Sequence, residues 1–364
     1  VIRAMAETCG LSEACTRAAS PILYTLTSGL LFVIARTLFD ARTGFWTAVI
    51  FATLPGVSYA SALITTDAPL IFLWTLMMLF WVLLVKRKSM GFAILLGVAI
   101  GTGLLTKQAM IYAVLCIACH AIVSREARDA LKGGRAIVAG LIAIALFSPN
   151  IFWNAEHGWP TAKHTGDNMG WRPPYVHPLA VLEFIGAQFA LFGPIFFVVL
   201  IRAGIRHVGQ PDDPRKTLLL CFSLPILLTL ILQALLSRAH GNWAATAYPA
   251  ATVFVTAMLL EHGRRVLLGI SMAALMYSKY HAALVILFVL MSNLSLLQNR
   301  YASLALAVSL LCYVPHQNWL YQNDFISVKF HLFERPNQPY DFAKFTLGFV
   351  LNMVALFGLT FPWV

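Results

Sequence analysis

The sequence predicts an all-α, polytopic membrane bundle of about 12–13 transmembrane spans. Three observations carry this. Of 364 residues, 59% are hydrophobic and only 11% charged, and the mean hydropathy is +0.76. Soluble domains carry about 25% charged residues, so lipid must solvate most of this chain. The apolar residues also fall in runs near the roughly 20 residues that cross a hydrocarbon layer. No barrel-like alternation is present, and in lipid only helices or closed barrels satisfy every backbone group.

The predicted spans are 20–38, 44–63, 68–85, 91–106, 109–123, 136–153, 179–201, 217–236, 243–260, 266–277, 281–297, 301–315 and 345–363. Residues 1–20 are expected to form an amphipathic helix on the membrane surface. The formal charge of +11 does not point to nucleic acid, because the basic residues sit in short clusters between apolar runs. Alternate connections hold Arg36 and Arg42; Lys86, Arg87 and Lys88; Arg125, Arg128, Lys132 and Arg135; Arg202, Arg206, Arg215 and Lys216; Arg264 and Arg265; and Arg300. The positive-inside rule puts these in the cytoplasm. The opposite, extracytoplasmic connections then collect Asp67, Lys107, Glu156, His157, Lys163, His164, Asp167, Asn168, His240, Asn242 and Lys279. Ionisable groups at a hydrocarbon edge are costly and usually functional.

Six cysteines are present. Cys116 and Cys119, followed by His120, form a C-x-x-C pair inside an apolar run, where thiols act as small hydrophobes rather than as a metal or redox site.

An internal repeat runs at an offset of 172 residues, matching Leu95-Leu96-Gly97 to Leu267-Leu268-Gly269 and Thr106-Lys107-Gln108 to Ser278-Lys279-Tyr280. After a six-residue deletion Pro149 and Trp153 correspond to Pro315 and Trp319 and Lys163 to Lys329, and further on Leu191-Phe192-Gly193 corresponds to Leu356-Phe357-Gly358. The expected organisation is a first region over 1–266 and a partial repeat of 95–199 over 267–364, joined near 262–269. The second copy has Ala239 opposite Asp67 and no second Thr-Thr-Asp.

The run Ala62-Leu63-Ile64-Thr65-Thr66-Asp67-Ala68-Pro69 through Trp74 resembles the bacterial branch of glycosyltransferase family 39. These are relatives of the protein O-mannosyltransferases and the lipid A aminoarabinose transferase, with the integral-membrane C-type fold. Leu105-Thr106-Lys107, Pro149–Trp153, Leu182–Gln188 with Gly193-Pro194, and Ser237–Trp243 with Ala247-Tyr248-Pro249 follow in the family's order. The resemblance implies a polyprenyl-phosphate-linked sugar as donor and a glycolipid or protein as acceptor. It also implies a site facing outward from the bacterial plasma (inner) membrane.

On that reading Lys107 binds the donor phosphate and Asp67 supports the site. His240, Asn242 and Trp243 contact substrate or a divalent metal ion, with His240 as the metal candidate. Lys163, His164, Asp167 and Asn168 form a sugar-binding loop. Plainer roles compete: an N-cap for Asp67, a snorkelling side chain for Lys107, an interfacial anchor for Trp243 and a solvated loop for 157–171. Lys279 shares the local context of Lys107 but lacks its Asp. Glu183 and Gln188 read as structural.

Members of the family begin with one more span and an extracytoplasmic acidic motif that supplies the catalytic carboxylate. Glu7 and Glu13 do not match that motif, so the catalytic residue is unassigned and the chain is expected to be N-terminally truncated. Two other functions compete. One is a secondary transporter, against which stand the clustering of charge at one face and the lack of evident broken helices. The other is a truncated relative that binds lipid-linked sugar without turning it over.

Overall fold

The computed structural model describes residues 13–61, 63–170, 176–211 and 213–261, together with Met5, Glu7, Tyr321 and Gln322. The chain divides into two compact units, Val1–Leu267 and Leu268–Val364, and nearly all described residues lie in the first. The last four predicted spans, the repeat and Lys279 lie outside the described residues.

Within the first unit the described residues form helices and connecting turns. Helix α1 (Glu13–Leu38) is followed by α2 (Ala41–Thr53), α3 (Pro55–Ala60), α4 (Asp67–Arg87) and α5 (Met90–Thr106). A 3-10 turn (Gln108–Ile111) leads to α6 (Tyr112–Val123), α7 (Arg125–Leu131), α8 (Arg135–Glu156) and α9 (Pro160–Met169). Then come α10 (Pro178–Phe192), α11 (Pro194–Gly209), α12 (Pro214–Cys221), α13 (Leu224–Leu236), a second 3-10 turn (Gly241–Ala247) and α14 (Tyr248–Glu261).

Among the described residues five segments are long and apolar enough to cross a membrane: Arg17–Leu38, Asp67–Arg87, Arg135–Glu156, Pro214–Leu236 and Gly241–Glu261. They match five predicted spans, and the shorter apolar helices Met90–Thr106 and Gln108–Val123 match two more, so the helical membrane bundle stands; the spans 44–63 and 179–201 differ from expectation. The run 179–201 is two helices bent by 112°. Gly193 takes φ +88, a left-handed value that L side chains resist, and Pro194 opens the next helix at a position where no amide is needed. Broken helices are therefore present, and that part of the case against a transporter falls. The run 44–63 breaks at Leu54, ahead of Pro55, while Met90–Thr106 and Gln108–Val123 are shorter apolar helices. Of the predicted surface helix, residues 13–20 are the first turns of α1, and residues 1–12 lie outside the described residues except for Met5 and Glu7. Ser20 Oγ donates to Leu63 O at 2.6 Å, which anchors this stretch to the bundle.

Helix α4 is the central post. Trp74, Met77, Met78 and Trp81 are fully buried on it, and it packs against α1 and α5. Trp81 Nε1 donates to His120 Nδ1 at 3.1 Å, so the buried His120 ring is satisfied by a core partner. Cys116 is buried and unpaired by any disulfide, in keeping with a small apolar filler. Helix α8 instead shows much of its surface, including Ile137, Leu141 and Ile144, as a lipid-facing helix must.

Helices α5 and α8 meet through small residues. A Cβ on Gly97 would lie 2.5 Å from Ala139 O, and one on Gly101 would lie 2.8 Å from Leu146 Cβ. Without a hydrophobic drive between helices in lipid, close backbone approach supplies the packing. Gly97→Ala forces backbone to move and is expected to cost about 1–3 kcal/mol. A lowered unfolding midpoint of the purified chain in detergent would confirm it, and an unchanged midpoint would contradict the close approach.

The basic connections converge at one end of the bundle. Lys86 Nζ donates to Thr37 O, Arg135 Nη1 to Lys88 O at 3.1 Å, and Arg215 Nη1 to Leu38 O at 3.1 Å. Helix starts here carry ordinary side-chain caps: Asp40, Ser89, Ser124 and Asp213 each accept from a nearby backbone amide. Burial alone would raise the Asp213 carboxyl, but hydrogen bonds from the Arg215 side chain and backbone outweigh it and hold its pKa below the usual value. Asp67 begins α4 and Lys88 caps its far end. Its 21 residues, at about 1.5 Å each, hold Asp67 about 31 Å from this basic layer.

Candidate functional site

Three segments far apart in sequence meet at the end of the bundle opposite the basic layer. Asp67 is the first residue of α4, and Thr66 before it makes no side-chain cap. The Asp67 carboxylate is not spent on capping. Oδ1 accepts from Lys107 Nζ at 2.5 Å, and Oδ2 accepts from Asn242 Nδ2 at 3.1 Å. Its place at a helix N-terminus also favours its negative charge.

Lys107 reaches Asp67 because the chain is extended there, with φ −160 and ψ 135, between the end of α5 and the 3-10 turn. A helical residue at this point would carry its side chain around the α5 axis instead. The Lys107 side chain is 30% exposed and that of Asp67 14%. The pair is thus reachable from outside while its carboxylate is mostly enclosed. The plain snorkelling role for Lys107 does not account for a specific carboxylate partner 40 residues away in sequence.

Asn242 comes from the second 3-10 turn. Gly241 beside it approaches α10 so closely that a Cβ would meet Ala187 Cβ at 2.8 Å. The turn runs into Tyr248, whose hydroxyl donates to the buried Gln188 Oε1 and whose ring stacks on Phe192 at 4.5 Å. Gln188 Nε2 in turn donates to Phe184 O at 2.8 Å. Gln188 therefore acts through Tyr248 as a strut under the Asn242 turn.

A narrow crevice of about 60 Å³ adjoins this cluster. Tyr24, Phe51, Leu54, Ile71, Leu191 and Tyr248 contribute apolar wall, and Asp67 and Asn242 contribute polar atoms. Tyr24 carries no sequence signal as a site residue: it is a single aromatic in an apolar run, and only the packing places it in this wall beside Asp67. Tyr248 stands in the Ala247-Tyr248-Pro249 stretch noted in the sequence.

The other sequence candidates divide. His240 sets its ring edge-to-face against Trp243 at 5.1 Å, so these two pair with each other. Among the described residues no group of three or more His, Cys, Asp or Glu is arranged to hold a metal. His240 thus gains no co-ligand among the described residues. The expected sugar loop is not an irregular loop: Lys163, His164, Asp167 and Asn168 lie on helix α9. His164 Nε2 and Asn168 Nδ2 are 2.9 Å apart, one turn from each other. Among the described residues no hydrogen bond or ion pair joins Lys163, His164, Asp167 or Asn168 to Asp67 or Lys107. Trp171 and Lys279 lie outside the described residues.

The described residues thus form an apolar helical bundle with a polar cluster at one end, beside an apolar crevice. Comparison with known proteins makes the class specific. Residues 1–153 match the family described as dolichyl-phosphate-mannose-protein mannosyltransferase. The lipid A galacturonosyltransferase RgtD of Rhizobium johnstonii is 32% identical over 260 residues, covering 71% of this chain and 54% of that protein. Two crystal structures of ArnT from Cupriavidus metallidurans share the fold. The apo form is 19% identical with a TM-score of 0.55, covering 76% of this chain and 51% of that one. The form bound to undecaprenyl phosphate is 16% identical with a TM-score of 0.58 and the same coverage, 76% and 51%. The chain is similar in sequence to these membrane glycosyltransferases and shares the ArnT fold. It spans about half the length of the relatives it matches.

Proposed function

We propose that this chain serves the transfer of a sugar from a polyprenyl-phosphate carrier to an extracytoplasmic acceptor at the bacterial plasma membrane. The observation that carries this reading is the Lys107–Asp67–Asn242 cluster, set beside an apolar crevice at the end of the bundle away from the basic connections. The basic layer supports a cytoplasmic assignment for its own end, and so an outward face for the cluster. RgtD, by name a lipid A galacturonosyltransferase, favours a glycolipid acceptor over a protein one.

The chemistry follows from charge. When the glycosidic bond to phosphate breaks, its electron pair stays on the phosphate oxygen, and a cation fixed nearby stabilises that charge. Lys107 is the candidate. Asp67 holds its ammonium in place before the donor arrives, and a held cation needs no reorganisation during the reaction. The acceptor hydroxyl bonds to the anomeric carbon and gives its proton to a carboxylate base, a role left unassigned. The apolar wall of the crevice suits the first isoprene units of the carrier. Lys163, His164, Asp167 and Asn168 on α9 remain candidates for sugar or acceptor contacts, and His240 and Trp243 for substrate contact.

The test is release of labelled sugar from a polyprenyl-phosphate donor by the purified chain in proteoliposomes. Time-dependent transfer to a lipid A-type acceptor is the expected result. Donor that binds but stays intact would favour a non-catalytic binder. Counterflow of a small solute without donor consumption would favour a transporter, a reading that the bend at Gly193 keeps in play.

A further inference from the structure

Helix α9 raises a question that the site alone does not answer. It buries none of its residues, so apolar packing does not hold it in place. The chain enters it through Gly158 and Trp159, and leaves it through Gly170, all with positive φ. A short polar helix bounded by such turns would detach unless something tied it.

Hydrogen bonds tie it at both ends and in the middle. At its start, Asn154 Oδ1 accepts from Thr161 N at 3.1 Å. Midway, the Thr165 hydroxyl lies 2.9 Å from Gln108 Oε1 and 2.8 Å from Thr161 O, sharing its one proton between them. At its end, Arg238 Nε donates to Asn168 O at 3.0 Å and Arg238 Nη2 lies 3.4 Å from Asp167 O. Ser237 Oγ lies 2.5 Å from Met169 O and 2.7 Å from Gly170 O. A guanidinium on the last carbonyls satisfies groups that the helix cannot, and it complements the negative end of the helix dipole.

The anchor points matter more than their number. Gln108 follows Lys107, and Arg238 lies four residues before Asn242. Both side chains that grip Asp67 thus come from turns fastened to the same helix.

We propose that Arg238 is a positioning residue that makes α9 a brace, fixing the turn of Lys107 and the turn of Asn242 relative to one another across Asp67. Its consequence for turnover rests on the sugar-transfer reading above, but the brace itself does not. Arg238 touches no reacting atom on this account and acts only through the spacing of Lys107 and Asn242.

The test is hydrogen exchange on the full chain in lipid nanodiscs, comparing wild type with Arg238→Ala and Arg238→Lys. In Arg238→Ala, amides of residues 161–170 and of 240–247 should exchange faster together, by about tenfold. Arg238→Lys keeps one donor on the Asn168 carbonyl and should restore both segments in part. Faster exchange confined to 161–170 would overturn the proposal, because Arg238 would then be a cap and nothing more. Should Arg238→Ala fail to accumulate, Thr165→Val cuts the tie to Gln108, and amides of 161–170 and 108–112 should then exchange faster together, with faster exchange confined to 161–170 overturning the proposal. No turnover is needed for this measurement. A wild-type chain that released no sugar would remove the transferase reading and leave the brace to be decided by exchange alone.

Discussion

Lys107→Ala is expected to lower sugar transfer by about 100- to 1000-fold, the usual loss when a preorganised stabiliser of developing charge is removed. The variant should still insert and fold. The lost ion pair is partly exposed, with the Lys107 side chain at 30%, so its share of stability is about 1 kcal/mol or less. Lys107 lies in a turn, and its backbone amide bonds to Gly103 O at 3.0 Å whatever the side chain. The measurement is initial transfer rate against donor concentration in proteoliposomes, alongside an unfolding midpoint in detergent. Lys107→Arg keeps the charge and should recover part of the rate, limited by the different shape of the guanidinium. Wild-type turnover in the alanine variant would remove Lys107 from the site.

Asp67→Asn is expected to cost about 10- to 100-fold, less than the loss of the lysine itself. The amide has nearly the same shape, so Asn242 keeps a neighbour and α4 keeps its start. What goes is the charge that fixes the ammonium 2.5 Å away, and a reacting group displaced by about 1 Å can cost 100-fold. If Asp67 works by holding Lys107, the two changes share one interaction and do not add. The double variant should match Lys107→Ala alone. A double variant slower than both singles by the product of their losses would give Asp67 a separate job in the chemistry.

Much of the site was legible before any fold was known. Asp67, Lys107 and Asn242 are polar residues at the edges of apolar runs, where burying a polar group is expensive enough to need a reason. Their common side follows from counting alternate connections. Other features were not legible, for identifiable reasons. An apolar-run scan reads length and composition, and residues 179–201 satisfy both. Their 112° bend depends on the single backbone angle of Gly193. The Gly193-Pro194 pair was visible, but such a pair also occurs where a helix merely kinks. In sequence the stretch that forms helix α9 reads as a loop, because its polar residues show no apolar face. It is held by Arg238 and Ser237 from about 70 residues away, a pairing that no local pattern encodes.

The sequence by itself determined the solvent, the helical class, the alternation of basic and polar connections and the residue types that gather at one boundary. These follow from additive, local costs: apolar area against lipid, backbone groups without water, and charge at an interface. Only the tertiary structure decided who touches whom. Asp67 could have capped its own helix, and Lys107 could have reached the headgroups. The fold brings both against Asn242 because α4, α5 and the turn after α13 pack at one place, and packing depends on shape across the whole bundle rather than on any stretch of it.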